Sequence, residues 1–284
     1  MLHRVLVSFL CACALVLASQ VAYAQRVSIP RQHHAWGRFY PGSWTQVRKL
    51  TEEFDQRGKL KSVSTTETKT TLIEVTDTDC MLQLEVTVEV AGKRIAAQPR
   101  TVRLGYNGES NGDRAIVKRA GEDALVVGGK KVNCQVLEAT INGGDEKVLS
   151  KIYYCNTTAP FVLKRDTKST DLEGETMHLH TLMDVIAVEM PHRVLADTKT
   201  VSQIRTIKRH AKGSTFTLEI VCEDVPGGVV AHSSKELDES GKLVRRSTLE
   251  LLDYGAVDKK RLFGRGIFRR TRSYKSSVRV APTR

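Results

Sequence analysis

Residues 81–90 read Met81-Leu82-Gln83-Leu84-Glu85-Val86-Thr87-Val88-Glu89-Val90. Leu82, Leu84, Val86, Val88 and Val90 alternate with Gln83, Glu85, Thr87 and Glu89. Successive side chains of an extended strand point to opposite faces, so period two over this stretch specifies a strand with one apolar and one wet face. Similar runs occupy 70–75, 131–141, 148–155, 215–221 and 243–251. Between the runs lie the turn signals Asn107-Gly108, Asn111-Gly112-Asp113, Gly128-Gly129, Gly143-Gly144 and Pro226-Gly227-Gly228. No window of comparable length carries a 3.6-residue apolar stripe; 44–54 and 187–196 are the weak helical options. The expectation is therefore an all-β chain of antiparallel strands. A long sheet of this kind must cover its apolar face, as a curved open sheet or half-barrel, as a sandwich, or by holding something against it.

The strands come in repeats. Cys155-x4-Pro160 is followed by Asp171-Leu172-Glu173-Gly174 and a strand over 179–185. Cys222-x3-Pro226 is followed by Asp238-Glu239-Ser240-Gly241 and a strand over 247–252. A third copy begins at Pro41-Gly42-Ser43, passes through Asp55-Gln56-Arg57-Gly58 and continues into the hydroxyl-rich stretch 64–71. Each unit is a proline, a strand, an Asp-x-x-Gly turn and a returning strand. The aspartate can bond the backbone ahead of it, and the glycine supplies the positive φ that the turn requires.

The formal charge of +12, from 44 basic and 32 acidic residues, is unevenly placed. Lys259, Lys260, Arg261, Arg265, Arg269, Arg270, Arg272, Lys275, Arg279 and Arg284 fall in 259–284, which holds no acid. With these and Arg4 set apart, 33 bases face 32 acids, so 25–258 is a nearly neutral body with a basic tail. Phe263, Phe268 and Tyr274 within the tail complete a composition suited to an anionic surface, either an envelope surface or an acidic protein. Residues 1–24 read as a secretory signal peptide: a short basic start, an apolar run over 5–17, and Ala22-Tyr23-Ala24 as the small-x-small cleavage site. The expectation is export to the periplasm or the cell exterior, which makes nucleic acid an unfavoured partner. A domain boundary within the body, if there is one, belongs near 187–200.

Export changes the reading of the cysteines. Cys11 and Cys13 leave with the leader, and Cys80, Cys134, Cys155 and Cys222 remain in a disulfide-permissive compartment. Cys134 and Cys155 flank the turn Asn142-Gly143-Gly144-Asp145. A hairpin there sets Cys134 across from about Tyr153 and places Cys155 diagonally on the same face. A Cys134–Cys155 bridge is then feasible, with four buried thiols as the alternative.

No nucleophile elbow, zinc-protease helix, phosphate loop or dinucleotide fingerprint occurs, so no catalytic residue, cofactor or metal site is assigned. His178 and His180 share a strand face, and His33-His34 follows the leader in a stretch read as flexible. Trp36, Phe39, Tyr40 and Trp44 concentrate aromatic surface, including both tryptophans, just before the first repeat. They either stack on a ligand at the mouth of a cavity or plug one open end of the sheet. The run 62–71 sets hydroxyls on both faces of its strand and reads as an ordinary exposed strand.

Trp36-Gly37-Arg38-Phe39-x-Pro41-Gly42-Ser43-Trp44, then Thr51-Glu52, Gly58, Thr65-Thr66-Glu67-Thr68-Lys69-Thr70-Thr71-Leu72 and Val86-Thr87-Val88-Glu89-Val90-x-Gly92-Lys93, resembles a family of uncharacterised bacterial exported β-rich proteins over roughly 36–190. That resemblance brings no activity and no catalytic residue. Gly129-Lys130-x-Val132-x-Cys134-x-Val136-x-Glu138, leading to Lys151-Ile152-Tyr153-Tyr154 and Pro160, is distantly similar to periplasmic lipoprotein-carrier folds. Those carriers are curved, unclosed sheets around an apolar cavity, which implies a lipid or acylated ligand; the extra repeat and the basic tail depart from them. The leading expectation is an exported, non-enzymatic protein that binds or scaffolds in the cell envelope. A lipid carrier and a secreted hydrolase are the alternatives.

Overall fold

The computed structural model describes residues 28–110 and 113–257. The signal-peptide reading and the basic tail lie outside the described residues. Within them the chain forms β1 (Trp44–Phe54), β2 (Leu60–Val75), β3 (Asp79–Val90), β4 (Lys93–Ala96), β5 (Arg100–Gly105), β6 (Ala115–Val127) and β7 (Lys130–Gly143). It continues through β8 (Glu146–Tyr154), β9 (Val162–Asp171), β10 (Met177–Val194), β11 (Asp197–His210), β12 (Gly213–Val221), β13 (Val229–Leu237) and β14 (Leu243–Gly255). All fourteen join one antiparallel, curved, unclosed sheet in the order β4-β3-β2-β1-β14-β13-β12-β11-β10-β9-β8-β7-β6, with β5 also on β3. This is the curved open sheet of the sequence reading, and not a sandwich. Pairing β1 with β14 puts the first and last strands side by side at mid-sheet. The weak helical options become strand, in β1 and in the second half of β10. Residues 187–200 hold the β10–β11 hairpin within the same sheet.

The three Asp-x-x-Gly motifs make three hairpin turns, between β1 and β2, β9 and β10, and β13 and β14. Asp55 Oδ1 accepts the N–H groups of Arg57 and Lys59; Asp238 Oδ1 accepts those of Ser240 and Lys242; the Asp171 carboxylate accepts those of Glu175 and Thr176. Gly58, Gly174 and Gly241 take φ values of 77°, 85° and 81°, the region that glycine enters without a Cβ penalty. The Asp55 and Asp238 tips share one geometry and the Asp171 tip is one residue longer, the Asp171 N–H bonded to Thr176 O, yet each copy is a hairpin whose tip is set by one carboxylate and one glycine.

Curvature follows from contacts between strands that are far apart in the sheet order. A Cβ added to Gly108, next to β5, would lie 2.8 Å from Arg165 Nη1 on β9, so the two wings approach across the hollow of the sheet. Residues 29–43 fill the gap. Ile29 packs with Leu137, Ala139, Ile152 and Tyr154, while Trp36 and Phe39 pack with Leu72, Cys80, Leu82 and Tyr106. His33 stacks on Phe161 at 3.9 Å and shares a 2.6 Å hydrogen bond with the Tyr154 hydroxyl. The flexible reading of His33-His34 is thereby corrected: apolar anchors on both sides leave the segment no freedom. The remaining apolar burial lies in a cluster around Val127, Val136, Tyr153, Leu163 and Val185 and in another around Val194, Val201, Val225 and Leu251.

The four cysteines among the described residues are buried free thiols, so the bridge expected between Cys134 and Cys155 is not formed here. Its expected geometry also needs correction. Gly143 pairs with Glu146 and the ladder runs to Gln135 opposite Tyr154, so the next residues, Cys134 and Cys155, face each other directly and not diagonally. Burial pushes the Cys134 thiol up to about 11. Burial also raises Cys155, but hydrogen bonds from Thr157 and Thr158 outweigh it and leave this thiol below its ordinary value.

Candidate binding site on the concave face

Residues paired across an antiparallel ladder share a face, and residues two apart on a strand share it as well. One row therefore runs Ile204, Glu219, His232, Leu249, Lys49 and Thr66 across β11, β12, β13, β14, β1 and β2. The next row on the same face is Thr206, Thr217, Ser234, Ser247, Thr51 and Ser64, a hydroxyl on each of six neighbouring strands. Thr217 donates to Ser234 at 3.1 Å, and Ser247 is only 4% exposed. This face is the concave one: Trp36, from the segment that fills the gap, closes over it. The run 62–71 contributes Ser64, Thr66, Thr68 and Thr70 to it. The exposed-strand reading is not met on either face: Thr65, Glu67, Lys69 and Thr71 on the other side are half-buried too.

Where the rows meet the gap-filling segment, a cleft of about 230 Å³ is lined by Trp36, Thr45, Val47, Glu219, Pro226, Gly227, Val229, His232 and Leu249. Its shape depends on Gly227, at a φ of 81°, where a Cβ would come within 2.8 Å of the Trp36 indole. Glu219 and His232 are direct cross-strand partners. Burial raises the Glu219 carboxyl above its ordinary value, opposed by Lys208. Burial and then Lys49 lower His232, which therefore stays neutral at pH 7. His232 Nε2 and Thr45 Oγ1 are buried without a hydrogen-bond partner among the described residues. Buried polar groups are normally satisfied, so two orphans in one cleft mark a place where a ligand's own polar groups would fit.

The aromatic candidates are divided by the fold. Trp36 and Phe39 are buried in a core cluster, and Trp36 also presents an edge to the cleft. Tyr40 is partly exposed beneath the Arg31 guanidinium, and Trp44 lies under Lys69 Nζ at 5.3 Å, so neither joins the cleft. His180 is engaged with Asp166 at 2.8 Å, and no cluster of three metal-ligating side chains occurs among the described residues. Glu219, His232 and Thr45 were not singled out in the sequence. Each sits in an unremarkable alternating strand, and only the register brings them together.

The cleft holds one carboxyl among its lining residues. Glycoside hydrolysis ordinarily uses two that flank the bond, and among the described residues no serine, cysteine or threonine is hydrogen-bonded to His232 Nε2. The arrangement is suited to holding a hydroxylated ligand in place.

No protein-family model matches the chain, and no curated protein matches it. Among solved structures it is similar to a proposed lipoprotein from Parabacteroides distasonis, at 12% identity and a TM-score of 0.32, covering 76% of this chain and 98% of that one. It is also similar to a proposed exported protein with a YmcC-like fold from Bacteroides fragilis, at 10% identity and a TM-score of 0.31, covering 76% of this chain and 99% of that one.

Proposed function

We propose that this is an exported, non-enzymatic binding protein of the cell envelope whose concave face holds a hydroxyl-rich chain of glycan type. The observation that carries the reading is the row Thr206, Thr217, Ser234, Ser247, Thr51 and Ser64, in register beside the cleft with its unpartnered His232 and Thr45. Hydroxyls donate and accept, as sugar hydroxyls do, and a row repeating at the strand spacing of about 4.8 Å offers a chain successive equivalent contacts. The secretory pattern of residues 1–24 supports export, and the ten bases of 259–284 support docking of the body to an anionic envelope surface.

A lipid carrier is less well supported by this geometry. A lipid cavity is lined by apolar side chains throughout, whereas here Lys49, Glu219, His232 and the hydroxyl row lie among Val47, Val229, Leu249 and Ile204 on the concave face. The test is calorimetric titration of the purified protein with neutral oligosaccharides, beside the Thr217→Val/Ser234→Val double variant. Binding that weakens about tenfold in the variant is expected, corresponding to about 1.4 kcal/mol of lost hydrogen bonding. Co-purifying lipid with no glycan binding would overturn the reading. Removal of 259–284 is expected to abolish salt-sensitive envelope association while leaving oligosaccharide affinity unchanged.

A further inference from the structure

The hydroxyl row continues beyond β11. Thr206 pairs with Met183 on β10, and Met183 pairs with Arg165 on β9. Arg165 therefore lies in the same row, three strand steps and about 14 Å from Thr217 at the usual spacing. Its guanidinium crosses the hollow to the turn at Gly108. Among the described residues no carboxylate lies within salt-bridge distance of it, and its Nε is buried without a hydrogen-bond partner. Glu109 acts on it electrostatically without forming an ion pair, and its two carboxylate oxygens accept the Asn107 backbone N–H at 2.8 Å and side-chain amide at 3.1 Å. Arg38, the other arginine near this spot, is paired with Glu223 at 3.1 Å. Glu109 therefore favours the Arg165 cation only through space, and no carboxylate among the described residues is ion-paired with it.

A half-buried guanidinium with no ion-paired carboxylate is under-compensated, and arginine cannot relieve this by losing its proton at physiological pH. We infer that Arg165 is the anion-recognising residue of the concave site and that the bound chain is an acidic glycan with carboxylate-bearing sugars. This rests on the glycan reading above and deepens it. The planar guanidinium fork matches a carboxylate in a bidentate arrangement, while the hydroxyl row beside it engages the rest of the chain. A ligand that touches both Arg165 and the Glu219–His232 cleft has to be extended, hence an oligomer. A phosphate-bearing polymer is the competing occupant. A carboxylate is favoured because one guanidinium faces the site, which suits a monoanion.

The experiment titrates the full chain with short oligogalacturonates and with neutral oligosaccharides of equal length, using wild type, Arg165→Gln and Arg165→Met. Every protein carries the same basic tail, so non-specific attraction of polyanions cancels in the comparison. Wild type is expected to prefer the acidic oligomer about tenfold or more. Arg165→Gln is expected to lose that preference, its affinity for the acidic oligomer falling to within about twofold of its own affinity for the neutral one. Arg165→Met, which replaces the under-compensated charge by an apolar chain of similar length, is expected to melt no lower than wild type while also losing the preference.

A clearly lower Tm for Arg165→Met would make the guanidinium a structural brace and overturn the inference. Intact acidic preference in Arg165→Gln would overturn it as well, with the glycan reading left standing. Tighter binding of a polyglycerol-phosphate oligomer than of oligogalacturonate would reassign the anion to phosphate. If wild type binds neither acidic nor neutral oligosaccharide, the glycan reading itself fails and this inference with it.

Discussion

The two faces of strands β11 to β2 differ in a direction opposite to the usual one. Antiparallel sheets with one covered face generally turn apolar residues inward and polar residues to water. Here the convex face carries Leu50, Phe216 and Leu218, which are 39%, 41% and 54% exposed, among the ion pairs Arg48–Glu67 and Arg246–Glu52. The concave face of the same strands carries Lys49, Thr51, Thr217, Glu219, His232, Ser234 and Ser247. Apolar packing on the concave side is concentrated in the wings and at one end, where Leu72 and Leu82 meet Trp36 and Phe39, and Leu251 meets Val230. Mid-sheet is thus held by its ladders, by convex side-chain pairs and by clamping from the wings, with apolar contact in its hollow limited to residues such as Ile204, Val47 and Leu249 set among the polar ones. A hollow lined mainly by polar groups is what a binding groove requires.

Comparing one residue type on the two sides sharpens the contrast most. Leu72 on the concave side of β2 is fully buried against Trp36, Cys80 and Leu82. Leu72→Ala is expected to destabilise by about 2–5 kcal/mol, the usual cost of a cavity in a core that cannot collapse, as read by denaturant midpoints at unchanged m-value. If Leu72→Ala proves as mild as a surface change, the wings do not supply the stability that the polar hollow lacks.

Acid should act on the concave side through the gap-filling segment. His34 Nδ1 accepts the N–H groups of Trp36 and Gly37, each at 3.3 Å, and the ring packs on Tyr106 at 4.7 Å. Burial first, then Arg165 and Arg38, hold its pKa down to about 4 from an ordinary 6.5. The folded form keeps His34 neutral, so this contribution to stability is complete above pH 6.5. It is lost as pH falls from 6.5 towards 4, where the unfolded chain takes up a proton that the folded chain refuses. The integrated effect is up to ~3 kcal/mol. His34→Asn keeps an oxygen that can accept the same two N–H groups without titrating in this range. The wild-type Tm should drop more steeply than that of His34→Asn between pH 6.5 and 4, and parallel profiles would remove His34 as the acid-sensitive latch.

Glu219 sets up a smaller effect of opposite sign. Its carboxyl is raised by burial, so the folded state binds the proton more tightly than the unfolded state, and stability from this group falls as pH rises above the ordinary carboxyl range. Glu219→Gln should therefore raise the Tm by a few degrees at pH 7 and leave it nearly unchanged at pH 4. Glu250→Gln on the convex face, beside Arg48 at 3.5 Å, should show no such pH-dependent gain. Equal behaviour of the two variants would mean that the hollow is as well solvated as the outer surface.

The difference between the faces also explains what could be read in advance. Alternation in 81–90 specifies β3 and its two faces, and the Asp-x-x-Gly motifs specify three hairpin tips, because these are local properties of consecutive residues. The site is not local. Thr217, Ser234 and Ser247 are common residues in ordinary strands, and they become a row only through pairings of β12 with β13 and β13 with β14. Trp36 and Phe39 were visible as an aromatic concentration, but whether they bind or plug depends on what faces them, namely Gly227 and the Leu72–Tyr106 cluster. Charge was misleading for the same reason: Arg165 is one base among many until the register places it in the hollow without a partner.

The smallest expected effect falls on the convex face and tests the comparison from its other side. Leu218 is directly opposite Ser233 on β13 and Arg205 on β11, and more than half of its surface is in water. Truncating it removes little that folding had buried, and strand propensity changes only slightly, so Leu218→Ala should shift stability by no more than about 0.5 kcal/mol. Oligosaccharide affinity should be unaltered, since the side chain points away from the hydroxyl row. A loss near that of Leu72→Ala would show that the convex leucines and Phe216 are packed in solution, which means a second layer covers them. The concave groove would then be the only one of the two faces left open.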